Sequence, residues 1–271
     1  MIGGVSVAKA CRYLKISRQA YYQYCARSLK REALEGQVIQ FVRQERMMQP
    51  RIGTRKLQYL LALAKMDIGR DHLFNLLREK RLLVPTKRAY HKTTNSHHRF
   101  RRHPNLIKAG FKADKPNQLW VADITYLPTR SGESYVSLIT DASRKIVGYQ
   151  VDDNMRTQSV KQAFTRALKQ KSTKEKLVHH SDRGIQYCSE EYQKLHRKHD
   201  VQCSMTDGYD CYQNALAERI NGILKNEYLL HKPRDLEEAR KMVAESIAIY
   251  NGRRPHQALK YKTPDEIHRA F

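Results

Sequence analysis

The chain has 271 residues, with 51 lysines and arginines against 27 acidic residues, a formal net charge of +24 and a pI near 9.9. This length accommodates one large domain or two smaller ones, and this charge favours a polyanionic partner, most simply nucleic acid. Five cysteines without a C-x-x-C pair argue against a disulfide framework or a structural zinc site. The sequence also shows no signal-peptide layout and no apolar run long enough to span a membrane, which indicates a cytoplasmic location.

The positive charge is concentrated in the N-terminal part of the chain. Residues 1–118 hold 26 lysines and arginines and only 7 acidic residues. Within this part, residues 5–24 predict two short helices, capped by Ser6 and Ser17, so that 1–30 forms a segment that resembles a helix-turn-helix. Contact with DNA and packing within a multimer are both consistent with this pattern.

Residues 31–90 show the apolar spacing of a three-helix domain. Helices are predicted over 34–48, 54–65 and 70–82. The third helix presents a basic face, as the recognition helix of a helix-turn-helix domain does in the major groove. Its candidate DNA contacts are Arg70, His72, Asn75, Arg78 and Arg81. A solvated basic face without a role in DNA binding is the alternative.

A basic linker is predicted over residues 91–116, because this stretch has no clear hydrophobic period and many cations. It holds the histidines His91, His97, His98 and His103. Zinc binding is disfavoured because no cysteine stands nearby at ligand spacing. Contact with phosphates along a DNA backbone fits the composition better.

Residues 117–271 predict a mixed sheet with helices on its faces, because strands and helices alternate in this part of the chain. The predicted strands are 119–127, 135–140, 145–151, a strand that ends at Asp182, and 201–205. The predicted helices are 156–170, 190–198, a helix that carries Glu218, 236–250, and a short final helix with Thr263 as its N-cap.

Three carboxylates lie at well-defined places in these elements. Asp123 is in the first strand, on the face opposite Trp120, and Asp182 follows a short apolar run at the end of a buried strand. Glu218 lies on the polar face of an amphipathic helix, together with Asn214, Asn221 and Lys225. Carboxylates fixed on a rigid frame are the ligands that a pair of Mg²⁺ ions requires. Asp141 is a rival ligand, but its surroundings are typical of a turn.

The spacing of the carboxylates and the sequences around them resemble one family. Asp182 and Glu218 are separated by 35 residues, and Lys225 follows Glu218 by seven. The segments His180–Tyr187 and Tyr250–His256 supply two further motifs. The chain resembles the D-D(35)E transposases and the retroviral-type integrases. Within that group it is most similar to the OrfB-type transposases of the IS-three family of bacterial insertion sequences.

The resemblance implies a fold and a site. The expected fold is α/β, with a ribonuclease-H-like mixed five-stranded sheet flanked by helices and preceded by an all-α helix-turn-helix region. Asp123 and Asp182 are each expected to bind metal, with Asp123 bridging two Mg²⁺ ions and Glu218 completing one site; Mn²⁺ is the expected substitute. DNA contacts are expected from Lys225, Asn214 and Arg254, although the segment around Arg254 either contacts DNA or braces the core.

The resemblance also implies a function and partners. We expect a DNA transposase that cleaves insertion-sequence ends and transfers the 3′-hydroxyl to a DNA strand by Mg²⁺-dependent phosphoryl transfer. Its partner is double-stranded DNA, both transposon ends and target, bound by a homo-multimer, with an upstream reading frame supplying a partner or a fusion. The alternatives are a non-catalytic helix-turn-helix regulator and a ribonuclease-H-like nuclease without strand transfer.

Overall fold

The computed structural model of this chain describes residues 6–85, 103–207 and 214–270. It divides into two compact units, one of Met1–Met48 and Ile52–Val84, the other of Gln49–Arg51 and Pro85–Phe271. Most of the predicted basic linker, up to residue 102, lies outside the described residues. Among the described residues, no helix is both long and apolar enough to cross a membrane.

The N-terminal unit begins with a short helix and continues in a long one. Helix α1 spans Val7–Tyr13, and the N-cap Ser6 accepts a hydrogen bond from the backbone N–H of Lys9, as predicted. Helix α2 spans Arg18–Met48, whereas the sequence predicts a break between residues 24 and 34. The helix continues because residues 25–33 contain neither glycine nor proline and are rich in strong helix formers. It therefore crosses the boundary predicted at residue 30.

Two shorter helices pack against α2 to form a trihelical core. Helix α3 spans Thr54–Leu63 and helix α4 spans Arg70–Glu79. The buried side chains of this core are Val38, Val42, Ile52, Leu57, Leu61, Ile68, Leu73, Leu76 and Leu77. Helix α4 ends before the predicted residue 82, because Arg81 adopts a φ of 54°, a left-handed conformation that interrupts a helix.

The described part of the second unit holds a five-stranded mixed sheet in the order β3-β2-β1-β4-β5. Its strands are β1 (Leu119–Thr129), β2 (Gly132–Asp141), β3 (Ile146–Asp152), β4 (Leu177–Ser181) and β5 (Val201–Met205). Strands β1, β2 and β3 pair antiparallel, and β4 joins β1 and β5 in parallel. The predicted sheet is confirmed, with strand ends within a few residues of those expected.

Helices cover both faces of the sheet. They are α5 (Thr157–Gln170), α6 (Ile185–Cys188), α7 (Glu190–Lys198), α8 (Ala215–Ile223), α9 (Leu236–Arg253) and α10 (Pro264–Arg269). On one face, Trp120 of β1 packs with Phe164 of α5 and Tyr192 of α7. On the other face, Leu138 of β2 packs with side chains of α8 and α9 such as Ile220. Helices thus cover the sheet on both faces, as the alternation of strands and helices in the sequence predicts.

Two local features of the C-terminal part are a π-helix and a capping box. Helix α8 continues directly into a five-residue π-helix, Leu224–Tyr228, a rare conformation that often accompanies functional sites. Helix α10 begins with the predicted capping box, in which Thr263 and Glu266 each accept a hydrogen bond from the other's backbone N–H.

Candidate active site

Asp123 and Asp182 are carried by neighbouring parallel strands. Asp123 lies in β1, and Asp182 directly follows the last residue of β4. The strand register pairs Val121 with His180, and continuing it by two residues sets Asp123 beside Asp182. Because side chains alternate between the two faces of a sheet, both carboxylates project on the same face. This is the face opposite Trp120, as the sequence predicts.

Glu218 reaches the same face from α8. The neighbouring Ala217 is buried in one cluster with Val121 of β1 and Val178 of β4, so the start of α8 lies over these two strands. Ile220 is fully buried, which leaves Glu218 on the more exposed side of the helix. Three separate elements therefore supply the three predicted carboxylates.

The charges of Asp182 and Glu218 both act on Asp123. Burial and, after it, the charge of Asp182 raise the pKa of Asp123 to about 7, and the charge of Glu218 adds to this shift. Hydrogen bonds from Asn221 and from the backbone N–H of Ile124 act in the opposite direction. Burial also raises the pKa of Glu218. A carboxylate raised in this way by desolvation and like charges is typical of functional sites.

Hydrogen bonds fix the two aspartates. Oδ1 of Asp123 accepts from the N–H of Ile124 over 2.9 Å, and Oδ2 accepts from Nδ2 of Asn221 over 2.7 Å. Oδ1 of Asp182 accepts from the N–H of Gly184 over 2.9 Å. A Cβ atom at Gly184 would lie 3.0 Å from that oxygen, so glycine permits this close turn.

The raised pKa of Asp123 predicts how stability depends on pH without divalent ions. Its folded-state pKa lies above its ordinary value, so its contribution to stability is complete below about pH 4 and is lost as the pH rises through 7. Relative to the wild type, Asp123→Asn should therefore gain about 2 kcal/mol in unfolding free energy between pH 4 and pH 8. This is about half of what the shift implies, because the half-buried carboxylate keeps some contact with solvent. Denaturant unfolding at the two pH values measures the gain, and a pH-independent difference would contradict the raised pKa of Asp123.

The donor set fits a divalent cation. Carboxylate oxygens are the ligands that Mg²⁺ and Mn²⁺ prefer, and a cation would offset the charge that raises the pKa of Asp123. Among the described residues, no three His, Cys, Asp or Glu side chains are already grouped as a ready-made metal site. Mutual repulsion opposes a closer approach of three carboxylates. The carboxylate side chains are therefore suitable ligands for Mg²⁺, although the described residues do not already form a complete ligand shell.

Lys225 and Asn214 take different places in this site. Burial lowers the pKa of the Lys225 ammonium group, and the charge of Asp123 acts in the opposite direction. Lys225 thus interacts with one of the three carboxylates, Asp123. Asn214 is buried, and its Nδ2 donates to the backbone carbonyl of Ala122 over 3.0 Å. Asn214 therefore braces α8 on β1, and its prediction as a DNA contact has to be corrected.

The prediction of Arg254 as a DNA contact is also corrected, because its side chain is buried. The residue is 3% exposed, and its Nε and Nη2 donate to the two carboxylate oxygens of Glu227 over 2.8 and 2.7 Å. Its Nη1 lies 3.0 Å from Nε2 of His256. The structure supports the interpretation in which the Tyr250–His256 segment braces the core, because Arg254 of this segment is hydrogen-bonded to Glu227 of the π-helix.

The predicted basic helix α4 presents some of its candidate residues and uses others internally. His72 forms a 2.8 Å contact with Glu35 of α2, so the imidazole ties the two helices together. Arg78 lies over the ring of Phe74 and donates to the side chain of Asn75. Arg70 is paired with its exposed neighbour Asp71, and Arg81 lies beyond the end of the helix. The basic face is thus narrower than predicted.

Asp141 is a structural residue, in agreement with its interpretation as a turn residue. It is fully buried, and its carboxylate accepts from the backbone N–H groups of Asn117 over 2.7 Å and Ser143 over 2.8 Å. His180 is also buried, with Nδ1 2.8 Å from Oγ of Ser204. Both side chains are thus held by hydrogen bonds within the second unit.

Comparisons with known proteins agree with this architecture. Two family models, both described as Integrase core domain, match residues 113–211 and 199–264. The solved intasome of simian T-cell lymphotropic virus, in complex with PP2A regulatory subunit B56 gamma, has a similar fold. Its TM-score is 0.50 at 16% identity, over 81% of this chain and 72% of that one.

Two relatives identify the family. An uncharacterized 31 kDa protein of insertion element IS600 from Shigella sonnei is 36% identical over 264 residues, which cover 94% of this chain and 95% of that protein. The transposase InsF for insertion sequence IS3A from Escherichia coli is 29% identical over 231 residues, which cover 82% and 79% of the two chains. The chain therefore belongs to the transposases of bacterial insertion sequences that carry an integrase core domain, in the IS3 family.

Proposed function

We propose that this transposase cleaves the ends of its insertion sequence and transfers the freed 3′-hydroxyl group to a DNA strand by Mg²⁺-dependent phosphoryl transfer. The observation that supports this proposal is the coupling of Asp123 with Asp182 and Glu218, which come from two strands and a helix. Negative charges placed this close together lower the stability of the fold unless bound cations offset them.

The chemistry follows from the charges. A phosphodiester resists attack because the nucleophile and the phosphate are both negative; two bound Mg²⁺ ions activate the attacking oxygen and stabilise the leaving one. Asp123 and Asp182 would hold these ions as deprotonated carboxylates, and Glu218 would complete one of the two sites. Lys225, which interacts with Asp123, would neutralise a phosphate of the DNA strand. A covalent protein nucleophile is not required.

The N-terminal unit is assigned to DNA binding. Its trihelical core ends in α4, whose exposed side carries Arg70, Asn75 and Arg78, and a third helix of this kind suits the major groove of double-stranded DNA. Transposon ends and target are then the DNA partners, held by a homo-multimer. A protein from an upstream reading frame would act as a partner or as part of a fusion.

A salt titration tests the assignment of α4. Because phosphate contacts release counterions, DNA affinity should fall steeply between 50 and 200 mM salt, by roughly 10³-fold or more. Arg78→Ala should weaken binding and reduce the salt slope by about 1. Arg197→Ala, which removes an exposed arginine of α7 paired with Glu190, serves as the matched control and should leave the slope unchanged. Equal slopes for both variants would contradict the role of α4.

A strand-transfer assay tests the function as a whole. The purified chain is mixed with Mg²⁺ and a labelled duplex that carries the insertion-sequence end, and the products are separated by size. Joined products support the transposase. Cleaved products without joined ones would favour the nuclease, and binding without either would favour the regulator.

A further inference from the structure

Asn221 occupies an unusual position for an amide side chain. It lies in α8 one turn after Glu218, so the two side chains point to the same side of the helix. Yet Asn221 is only 5% exposed, and asparagine is seldom buried this far unless it makes specific hydrogen bonds. The presence of a polar residue at this buried position therefore has a cause other than contact with solvent.

One half of the Asn221 amide is used to hold Asp123. Nδ2 donates to Oδ2 of Asp123 over 2.7 Å, while Oδ1 of the same carboxylate accepts from Ile124. The carboxylate thus has a donor on each oxygen, one from β1 and one from α8. A side chain held from two directions keeps one orientation, which is what a candidate metal ligand needs.

The carbonyl oxygen of the Asn221 amide, Oδ1, takes no part in this hydrogen bond. Oδ1 of Asn221 is buried and has no hydrogen-bond partner within the described protein. An unpartnered buried acceptor costs about 1–3 kcal/mol, so it is expected where a bound donor satisfies it. The oxygen belongs to the same carboxamide as Nδ2, so it lies close to the Asp123 carboxylate.

We propose that Asn221 is a positioning residue of the divalent-cation site, which orients Asp123 through Nδ2 and offers Oδ1 to a water molecule bound beside that carboxylate. This inference rests on the proposed function, because it assumes that Asp123 binds a cation. Residues that orient a metal ligand typically change metal affinity by about 10–100-fold when removed. Asn221 therefore acts on cation binding rather than on the phosphate.

Calorimetric titration of the full chain with Mn²⁺, in the absence of DNA, tests the inference without reference to activity. Asn221→Ala should raise the dissociation constant at least tenfold. The matched control is Asn226→Ala, an exposed asparagine in the adjoining π-helix, which should titrate like the wild type. Asp182→Asn reports whether the carboxylate site binds the ion at all.

The outcomes separate the two proposals. If the wild type and Asp182→Asn bind Mn²⁺ equally, or neither binds, the proposed function fails. If only the Asp182→Asn protein loses binding while Asn221→Ala titrates like the wild type, the role of Asn221 is overturned and the function stands.

A second measurement excludes a merely structural role. In strand transfer, Asn221→Ala should need about tenfold more Mg²⁺ for half-maximal rate and recover the wild-type rate at saturation. A rate that stays low at every Mg²⁺ concentration would indicate lost structure and would overturn the positioning role.

Discussion

The Asp182→Asn protein is expected to lose strand transfer by about three orders of magnitude, the largest effect of any single substitution considered for this chain. The amide keeps the size of the side chain, and its oxygen can still accept the hydrogen bond from Gly184. It removes the negative charge that couples to Asp123. The fold should persist while the cation site fails, which a labelled-end joining assay with Mg²⁺ would show.

A matched control makes this result specific. Asp200 is an exposed residue in the turn before β5 with a φ of 52°, a conformation that asparagine adopts readily. Asp200→Asn therefore changes the same charge without strain and should join DNA at the wild-type rate. Both variants should bind DNA with the affinity of the wild type. Full joining activity in Asp182→Asn would rule out the carboxylate mechanism.

The second large effect is expected on stability. Arg254→Met should lower the unfolding free energy of the second unit by about 3–5 kcal/mol, because it removes the buried guanidinium group that donates to both carboxylate oxygens of Glu227. Trp120 is the only tryptophan of the chain and is fully buried in this unit. Its fluorescence during denaturant unfolding therefore reports on this unit rather than on the N-terminal helices.

Two further variants serve as controls for this loss of unfolding free energy. Arg234→Met removes an arginine from an exposed pair with Glu238 and should cost less than about 1 kcal/mol. The double variant Glu227→Gln with Arg254→Met should lose less than the sum of the single variants, because both charges of the pair are then removed together. A loss in Arg254→Met no larger than in Arg234→Met would show that the buried pair does not stabilise the unit.

The sequence predicted those features that depend on local pattern. The alternation of side chains between the two faces of β1 predicted that Asp123 lies opposite Trp120. The apolar run before Asp182 predicted the end of a strand. Both predictions are confirmed. Helix α7 and strand β5 have the predicted bounds, because caps and turns define them locally. The spacing of the carboxylates then indicated the family.

The features that the sequence did not reveal depend on partners far away in the chain. Arg254 looks like a DNA-binding arginine until its pairing with Glu227, which lies 27 positions earlier, is known. Asn221 was assigned to a polar helix face, but its role depends on contact with β1, 98 positions away. The continuous α2 was missed for another reason: the residues between the two predicted helices themselves have high helix propensity.

The most direct test of the carboxylate site is a DNA-bound structure of the full chain with Mn²⁺ located by its anomalous scattering. We expect density for two ions about 3.5–4 Å apart, with oxygens of Asp123, Asp182 and Glu218 as ligands. Ions held by other residues, or a Glu218 side chain remote from both aspartates in that complex, would contradict the account.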